Sequence, residues 1–428
     1  MTELYVYMDG ALCGLLEQDG KGDLRFRYDE EYRNQSEATP LSLSMPLQRI
    51  EHRKRVVLPF LDGLLPDSEQ ARTAMARHFG VNPRNPFAML QFCGADVAGA
   101  LQILRPEIAA SDSSGTYESL HPLSDTEVSD VLSAVVEEYR TGRPIYVQAG
   151  RFSLAGAQPK LALCRINDGS WAAPLGSTPT THILKPQTGD FDRIDVVEHM
   201  TMRAASVLEI PVARTWLESI GDWSVIVVER YDRIRVNDSW RRLHQEDFGQ
   251  ALGVSPSKKY QHMDGGPGVG EVARLLRNLP RPLDRQEVAW RFFQGLVFNT
   301  IFRCTDAHIK NYSLLLQGSH VSIAPLYDLA TVIPYDPHSG SANAAMKIGE
   351  HYQFNAITEA DFEATARTLG IDRAQGVDFV AMLRMRAQEA WQMAYTQTVQ
   401  TAPSTRVVAS WVLDSVSRIL RDHGIGAA

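Results

Sequence analysis

Past about residue 250 the chain changes period. Short strand-like runs give way to long helical patterns at residues 283–304, 359–369 and 376–397. Apolar residues recurring every three to four positions demand a helix with one buried face. Ahead of that point, from about Tyr146, three runs read as strands: residues 161–165 (LALCR), 181–185 (THILK) and 223–230 (WSVIVVER). Gly- and Pro-rich connections separate them, with one helix over about 196–208. A small β-rich segment feeding a larger helical one predicts an α+β fold in two lobes.

The first hundred residues form a separate block. Residues 3–8 (ELYVYM), the Asp9-Gly10 turn and the run that follows read as a hairpin, with a third strand at 24–28. Pro66-Asp67-Ser68 offers a helix start, Asp67 or Ser68 capping a run to His78. Residues 105–123 are rich in Ser, Pro, Asp and Gly and read as a linker, followed by a helix over 125–141. The expected division is an N-terminal α/β subdomain (1–110), linker and helix (111–145), a β-rich lobe with a nucleotide loop (146–235) and a helical lobe (236–428).

Composition sets outer limits. With 428 residues, 44% hydrophobic and 22% charged, the chain is of the soluble globular class and long enough for two or three domains. A net charge of −8 argues against broad nucleic-acid binding by this chain alone, though a basic partner could bring it to DNA. The four cysteines are scattered without metal-ligand spacing, as in a reducing cytoplasm. Asp9, Glu17 and Asp19 interrupt the opening apolar stretch, so no signal peptide is read, and no uncharged apolar run reaches the roughly 20 residues of a membrane span. The expected location is cytoplasmic.

Four segments carry chemistry, and their order matters more than any one of them. Lys185 ends an apolar strand, where a cation can anchor nucleotide phosphates, with Glu198 on the next helix as a candidate partner. In Val227-Val228-Glu229-Arg230-Tyr231-Asp232-Arg233 a buried strand runs into a polar connector, where backbone groups of Glu229 and Arg230 and the Tyr231 ring could line an adenine pocket. Cys304-Thr305-Asp306-Ala307-His308-Ile309-Lys310-Asn311 follows a long apolar helix and sets Asn five residues after Asp. That is the spacing of a kinase catalytic loop: Asp306 takes the acceptor's proton, Asn311 binds Mg²⁺, and His308 or Lys310 contacts phosphate. Tyr327-Asp328 comes 17 residues after Asn311, beyond two short strands, where a carboxylate would hold a second position on Mg²⁺.

Taken singly, each has a bland reading: a strand-end lysine, an edge-strand exit, a chance Asp–Asn spacing, a turn. Lys185, Glu229, Asp306, Asn311 and Asp328 in that order point to ATP-dependent phosphoryl transfer. Neither G-x-G-x-x-G-x-V nor G-x-x-x-x-G-K-[ST] occurs. The cluster Gly265 to Gly270 comes too late to cover phosphates and reads as a connector. The loop Ser153-Leu154-Ala155-Gly156-Ala157-Gln158-Pro159-Lys160 stands ahead of the first β-lobe strand instead, its small residues letting backbone N–H groups approach phosphate.

These segments resemble the HipA family of serine/threonine kinase toxins from bacterial HipBA toxin–antitoxin modules. The resemblance rests on RFSLAGAQPKLAL, GSTPTTHILK, VVERYDR, HQEDFGQALG, KKYQHMDGGPG, TDAHIKN and LYDLATVIP, and on LSLSMPLQR, FLDGLLPDSEQAR and NPFAMLQFCGADVAGAL in the N-terminal block. It implies a kinase-like fold related to phosphoinositide-type kinases, with a separate N-terminal subdomain. By correspondence Asp306 is the catalytic base, Asn311 and Asp328 the Mg²⁺ ligands, and Lys185 the nucleotide anchor. Ala155, Gly156, Ala157, Gln158, Pro159 and Lys160, with Glu229, Arg230, Tyr231, His308, Lys310 and Tyr327, fall in ATP-contact segments. Ser153 matches a serine whose autophosphorylation inactivates the kinase, since phosphate brings close to two negative charges beside those of ATP. The resemblance further implies a small helix-turn-helix antitoxin, HipB, reaching operator DNA on the chain's behalf. It also implies an aminoacyl-tRNA synthetase substrate, notably glutamyl-tRNA synthetase, whose phosphorylation halts translation and induces persistence. Pro159 stands where relatives often carry Glu, and Ala307-His308-Ile309 where Gly-His-Ala is common; neither removes a group the chemistry needs. From about Tyr352 the match fades. A kinase of a small molecule or lipid, and a pseudokinase co-repressor scaffold, remain as alternatives.

Overall fold

Alternation in the opening strand decides which face of the first sheet is buried. In Thr2–Met8 (β1) Leu4, Val6 and Met8 point into the core and the tyrosines between them stay partly exposed. A turn with φ of 46° at Asp9 and 87° at Gly10 returns the chain into Ala11–Gln18 (β2), as a tight hairpin requires. Leu24–Tyr28 (β3), Glu51–Arg53 (β4) and Leu101–Leu104 (β5) complete a five-stranded sheet in the order β4-β3-β2-β1-β5. Phe26 and Ile103 from this sheet share a core with Phe60 and Phe87 from the helices Lys54–Gly63 and Pro86–Cys93.

The computed structural model describes residues 2–109, 120–145, 155–176, 178–189, 191–237, 239–336 and 338–425. The expected linker is only partly one: Leu120–Leu123 (β6) pairs with Trp171–Pro174 (β8) at the edge of a second sheet. That sheet runs β10-β11-β9-β7-β8-β6, with Leu161–Arg165 (β7), His182–Pro186 (β9), Thr215–Ile220 (β10) and Trp223–Glu229 (β11). The helix Asp125–Thr141 has the expected bounds because both ends are written locally. Ser124 and Glu127 form a capping box, and Gly142 takes the left-handed cap at φ 67°.

By its contacts the chain divides into two units. One comprises residues 1–186, 219–256 and 314–320; the other comprises 187–218, 257–313 and 321–428. The second is mostly helical, built on Ile194–Val207, Pro282–Ile301, Glu359–Leu369, Arg373–Thr401 and Arg406–Asp422. Its core centres on Trp391, fully buried against Phe302 with ring centroids 5.6 Å apart, and on Phe292, Phe293 and Phe298. Among the described residues no helix is long and apolar enough to cross a membrane, and all four cysteines are buried thiols. The chain is thus α+β, a sheet-rich unit and a helical one.

Candidate active site

In the first unit Lys185 lies inside β9 and is buried; the register sets it opposite Ile226 of β11, with Leu184 between Leu161 and Val227. The small-residue loop is held from two sides. Lys160 Nζ donates to the Ala155 carbonyl at 2.8 Å, and Asp67 N donates to the Gly156 carbonyl at 2.9 Å. Gly156 has φ of 112°, a conformation that favours glycine, and a Cβ there would stand 2.4 Å from Lys160 Nζ, so the lysine would have to shift. Ala157 and Gln158 are exposed at the tip, and Pro159 is partly buried. Ser153 lies outside the described residues.

In the connector after β11 the Arg230 side chain turns into the protein. Its guanidinium is buried, donating to Asp232 at 3.0 and 2.8 Å, to Thr180 Oγ1 at 2.8 Å and to the Val97 carbonyl at 3.0 Å. Its backbone N–H is spent on the Thr181 carbonyl. The side chain is therefore committed to the protein, whereas the nucleotide contact expected at Arg230 is through backbone. Arg233 and Arg242 join the network through Asp96 at 2.9 and 3.2 Å, while Asp96 also accepts from Thr180 N and Oγ1 at 2.9 and 2.7 Å. Burial alone would raise both carboxyls; the arginines outweigh it and hold Asp96 and Asp232 below the usual carboxylate range. The tie of Asp96 to Thr180 and Arg230 fixes the start of β9 and the connector together. Glu229 ends β11 opposite His182, and the Tyr231 hydroxyl bonds the Gln245 side chain. Sequence reading missed Asp96 and Thr180, whose arginine partners lie 50 to 146 residues away.

The second unit contains the segment from Cys304 to Asn311. After Pro282–Ile301 the chain is pinned by Thr331 Oγ1 on the Phe302 carbonyl at 2.5 Å and by Val332 N on the Arg303 carbonyl at 3.2 Å. Arg303 itself takes φ of 52°. The next residues close into a loop: His308 N donates to the Asp306 carbonyl at 2.8 Å, Asn311 N to the His308 carbonyl at 2.9 Å, and Asn311 Nδ2 to the Asp306 carbonyl at 2.7 Å. The five-residue spacing is thus what lets Asn311 reach back. The Asp306 side chain is 57% exposed, with Nε2 of buried His308 3.7 Å from its Oδ1. Lys310 is buried.

Tyr327 joins the segment carrying Asp328 to the loop carrying Asp306 and Asn311. Its hydroxyl donates to the Lys310 carbonyl at 2.8 Å, so Ser313 Oγ, 2.7 Å away, donates to it. Asn311 and Asp328 each lie one residue from this contact. Upstream, Leu326 exchanges backbone bonds of 2.8 Å with Pro211 and Ala213. Asp328 then adopts φ of 58°, a left-handed conformation that aspartate tolerates better than most residues. Glu198 is buried on Ile194–Val207 in this same unit, whereas Lys185 belongs to the first.

No cluster of three or more His, Cys, Asp or Glu side chains able to hold a metal exists among the described residues. A magnesium ion bound with nucleotide needs fewer protein ligands, because phosphates and water fill most of its six positions. Asn311 and Asp328 fit that requirement: the amide nitrogen of Asn311 is spent on Asp306, which orients a hard oxygen donor away from that bond.

Comparison with known proteins matches two family descriptions, "HipA N-terminal domain" over residues 4–104 and "HipA-like C-terminal domain" over residues 152–392. The second runs well past Tyr352, where the motifs fade. Y4mE of Sinorhizobium fredii, a protein designated as a kinase, is 37% identical over 86% of both chains. The serine/threonine-protein kinase toxin HipA of Shewanella oneidensis is 27% identical over 90% of this chain and 88% of its own. A solved complex of HipA, HipB and operator DNA from Shewanella oneidensis MR-1 contains a chain superposing with a TM-score of 0.78, at 25% identity and 97% coverage of each.

Proposed function

The chain belongs to the HipA family of serine/threonine kinases, and from that premise we propose that it is the ATP- and Mg²⁺-dependent toxin of a toxin–antitoxin module. The observation that carries the chemical reading is the closed loop from Asp306 to Asn311, which leaves the Asp306 carboxylate exposed. Asp306 accepts the proton of the acceptor hydroxyl as phosphate is transferred. Lys185 holds nucleotide phosphates. Backbone groups of Ala155 to Lys160 and of Glu229 and Tyr231 contact the nucleotide, with Tyr327, His308 and Lys310 completing its surroundings. Asn311 and Asp328 would hold magnesium, which would supply positive charge against that of the phosphates.

The substrate proposed is an aminoacyl-tRNA synthetase, with glutamyl-tRNA synthetase first, and its phosphorylation halts translation in the cytoplasm and promotes persistence. Autophosphorylation at Ser153 ends the activity. A HipB-like helix-turn-helix antitoxin binds the chain and represses the operon with it; a net charge of −8 suits a chain that meets DNA through a basic partner.

The test is phosphate transfer from [γ-³²P]ATP to a panel of purified synthetases. Label on a synthetase serine or threonine is expected, lost by a factor of about 10³ or more in Asp306→Asn. Label confined to small hydroxyl metabolites would replace the protein substrate, and tight antitoxin binding without any transfer would make the chain a scaffold. Ser153→Ala should abolish self-labelling; persistent label would remove Ser153 from its role.

A further inference from the structure

Tyr260 has no task in the reading above, yet it touches its central residue. It lies in KKYQHMDGGPG, 46 positions before Asp306, and its hydroxyl bonds Asp306 Oδ1. Its ring meets the His308 imidazole edge-on, centroids 4.8 Å apart at 76°. His308 Nε2 stands 3.7 Å from the same Oδ1. One carboxylate oxygen is therefore taken, and among the described residues no hydrogen bond from the protein reaches Oδ2.

The mount of Tyr260 is fixed by bonds of its own. Tyr260 N donates to Asp264 Oδ2 at 3.1 Å, and Gly266 N to the Tyr260 carbonyl at 3.0 Å. A Cβ on Gly266 would stand 2.0 Å from the Lys258 carbonyl oxygen, so the loop closes this tightly only with glycine there. Gln261 Oε1 accepts from Lys347 N at 2.8 Å, and His262 packs edge-on against Tyr352 at 4.8 Å, which fasten the loop to the strands Asn343–Ile348 and His351–Gln353. A group held on so many bonds suits orientation rather than a plug that swings away.

Resting on the assignment of Asp306 as the base, we infer that Tyr260 is a positioning residue whose phenol holds Oδ1 and so presents Oδ2 to the acceptor hydroxyl. A mostly exposed carboxylate samples several orientations; a fixed donor selects one and removes that search from the reaction. During transfer the acceptor oxygen bonds the γ-phosphorus, the bond to the leaving ADP oxygen breaks, and the acceptor proton passes to Oδ2. Tyr260 keeps its own proton throughout.

The experiment measures ATP-dependent self-labelling and ADP release by the full chain in four forms: wild type, Tyr260→Phe, Asp306→Asn and the double variant. Phenylalanine keeps the ring on His308. The expected result is a loss of about tenfold or more in rate for Tyr260→Phe, with nucleotide affinity and melting temperature unchanged. Added to Asp306→Asn, Tyr260→Phe should cost nothing more, because it acts only through that carboxylate. An equal loss in both backgrounds would make Tyr260 merely structural. A faster Tyr260→Phe enzyme would make the phenol a cap. Either overturns the inference. Wild-type rates in Asp306→Asn would instead remove the base assignment, and this inference with it.

Discussion

The Tyr327 hydroxyl donates to the Lys310 carbonyl at 2.8 Å, a bond that ties the segment carrying Asp328 to the loop carrying Asn311. Ser313 Oγ, 2.7 Å from the same hydroxyl, makes the tie two-sided. The proposed metal ligands come from separate stretches of chain, so their registration depends on such a link.

Tyr327→Phe removes both bonds and keeps the ring. The expected outcome is a stability loss of about 1–2 kcal/mol and a several-fold higher Mg²⁺ concentration for half-maximal transfer. Chemical denaturation and a Mg²⁺ titration of the labelling rate check the two separately.

Gly156→Ala should weaken nucleotide binding. The new Cβ meets Lys160 Nζ in a backbone conformation, φ 112°, that alanine resists. A cost of about 1–3 kcal/mol falls on a loop that must either distort or release Lys160. Equilibrium titration with ATP should show roughly fivefold weaker affinity or more for a cost of that size, with little change in the melting of the remainder.

Asp96→Ala leaves three buried arginines short of a counter-charge and should destabilise the chain by about 3–5 kcal/mol. Because Asp96 and Asp232 have carboxyls held below their ordinary values, their stabilisation is present above the unfolded carboxylate pKa, near 4, and is lost as pH falls below it. Urea unfolding of the wild type between pH 3 and 6 should show that acid-side loss, and Asp96→Ala should show less of it.

Glu246 predicts a slope of opposite sign. Burial pushes its carboxyl up to about 8, against the lowering effect of bonds from Leu43 N and Ser42. The folded chain then holds a proton that the unfolded chain releases above about 4.5. This contribution is full below that value and is lost as pH rises toward about 8. Glu246→Gln keeps an acceptor for Leu43 N and should flatten the decline, leaving the variant the more stable form at pH 8. Urea midpoints at pH 5, 6.5 and 8 decide it; parallel slopes for variant and wild type would refute the assignment.

What is legible in the sequence is what the chain encodes locally. The helix Asp125–Thr141 is legible to its ends because Ser124, Glu127 and Gly142 mark them within a few residues. The strands Leu161–Arg165 and Trp223–Glu229 followed from continuous apolar runs. Trp171–Pro174 did not, since four residues ending in proline carry no period and gain their strand character from pairing with Leu120–Leu123 and Leu161–Arg165. Asp306 and Asn311 were legible because one short loop closes between them. The buried commitment of Arg230 was not, because Asp96 lies 134 residues away.

Residue types and their order are set along the chain: a carboxylate at Asp306, an amide five residues on, a second carboxylate beyond two strands, and a lysine ahead of them all. Which side chains are spent on the protein depends on the packed fold. Arg230 belongs to a buried ion network, Tyr327 joins two segments of the site, and Tyr260 holds the carboxylate of Asp306. The reason is physical: a motif specifies neighbours along the chain within the reach of a loop, whereas a buried charge or an exposed carboxylate takes its partner from whatever the packed fold brings beside it.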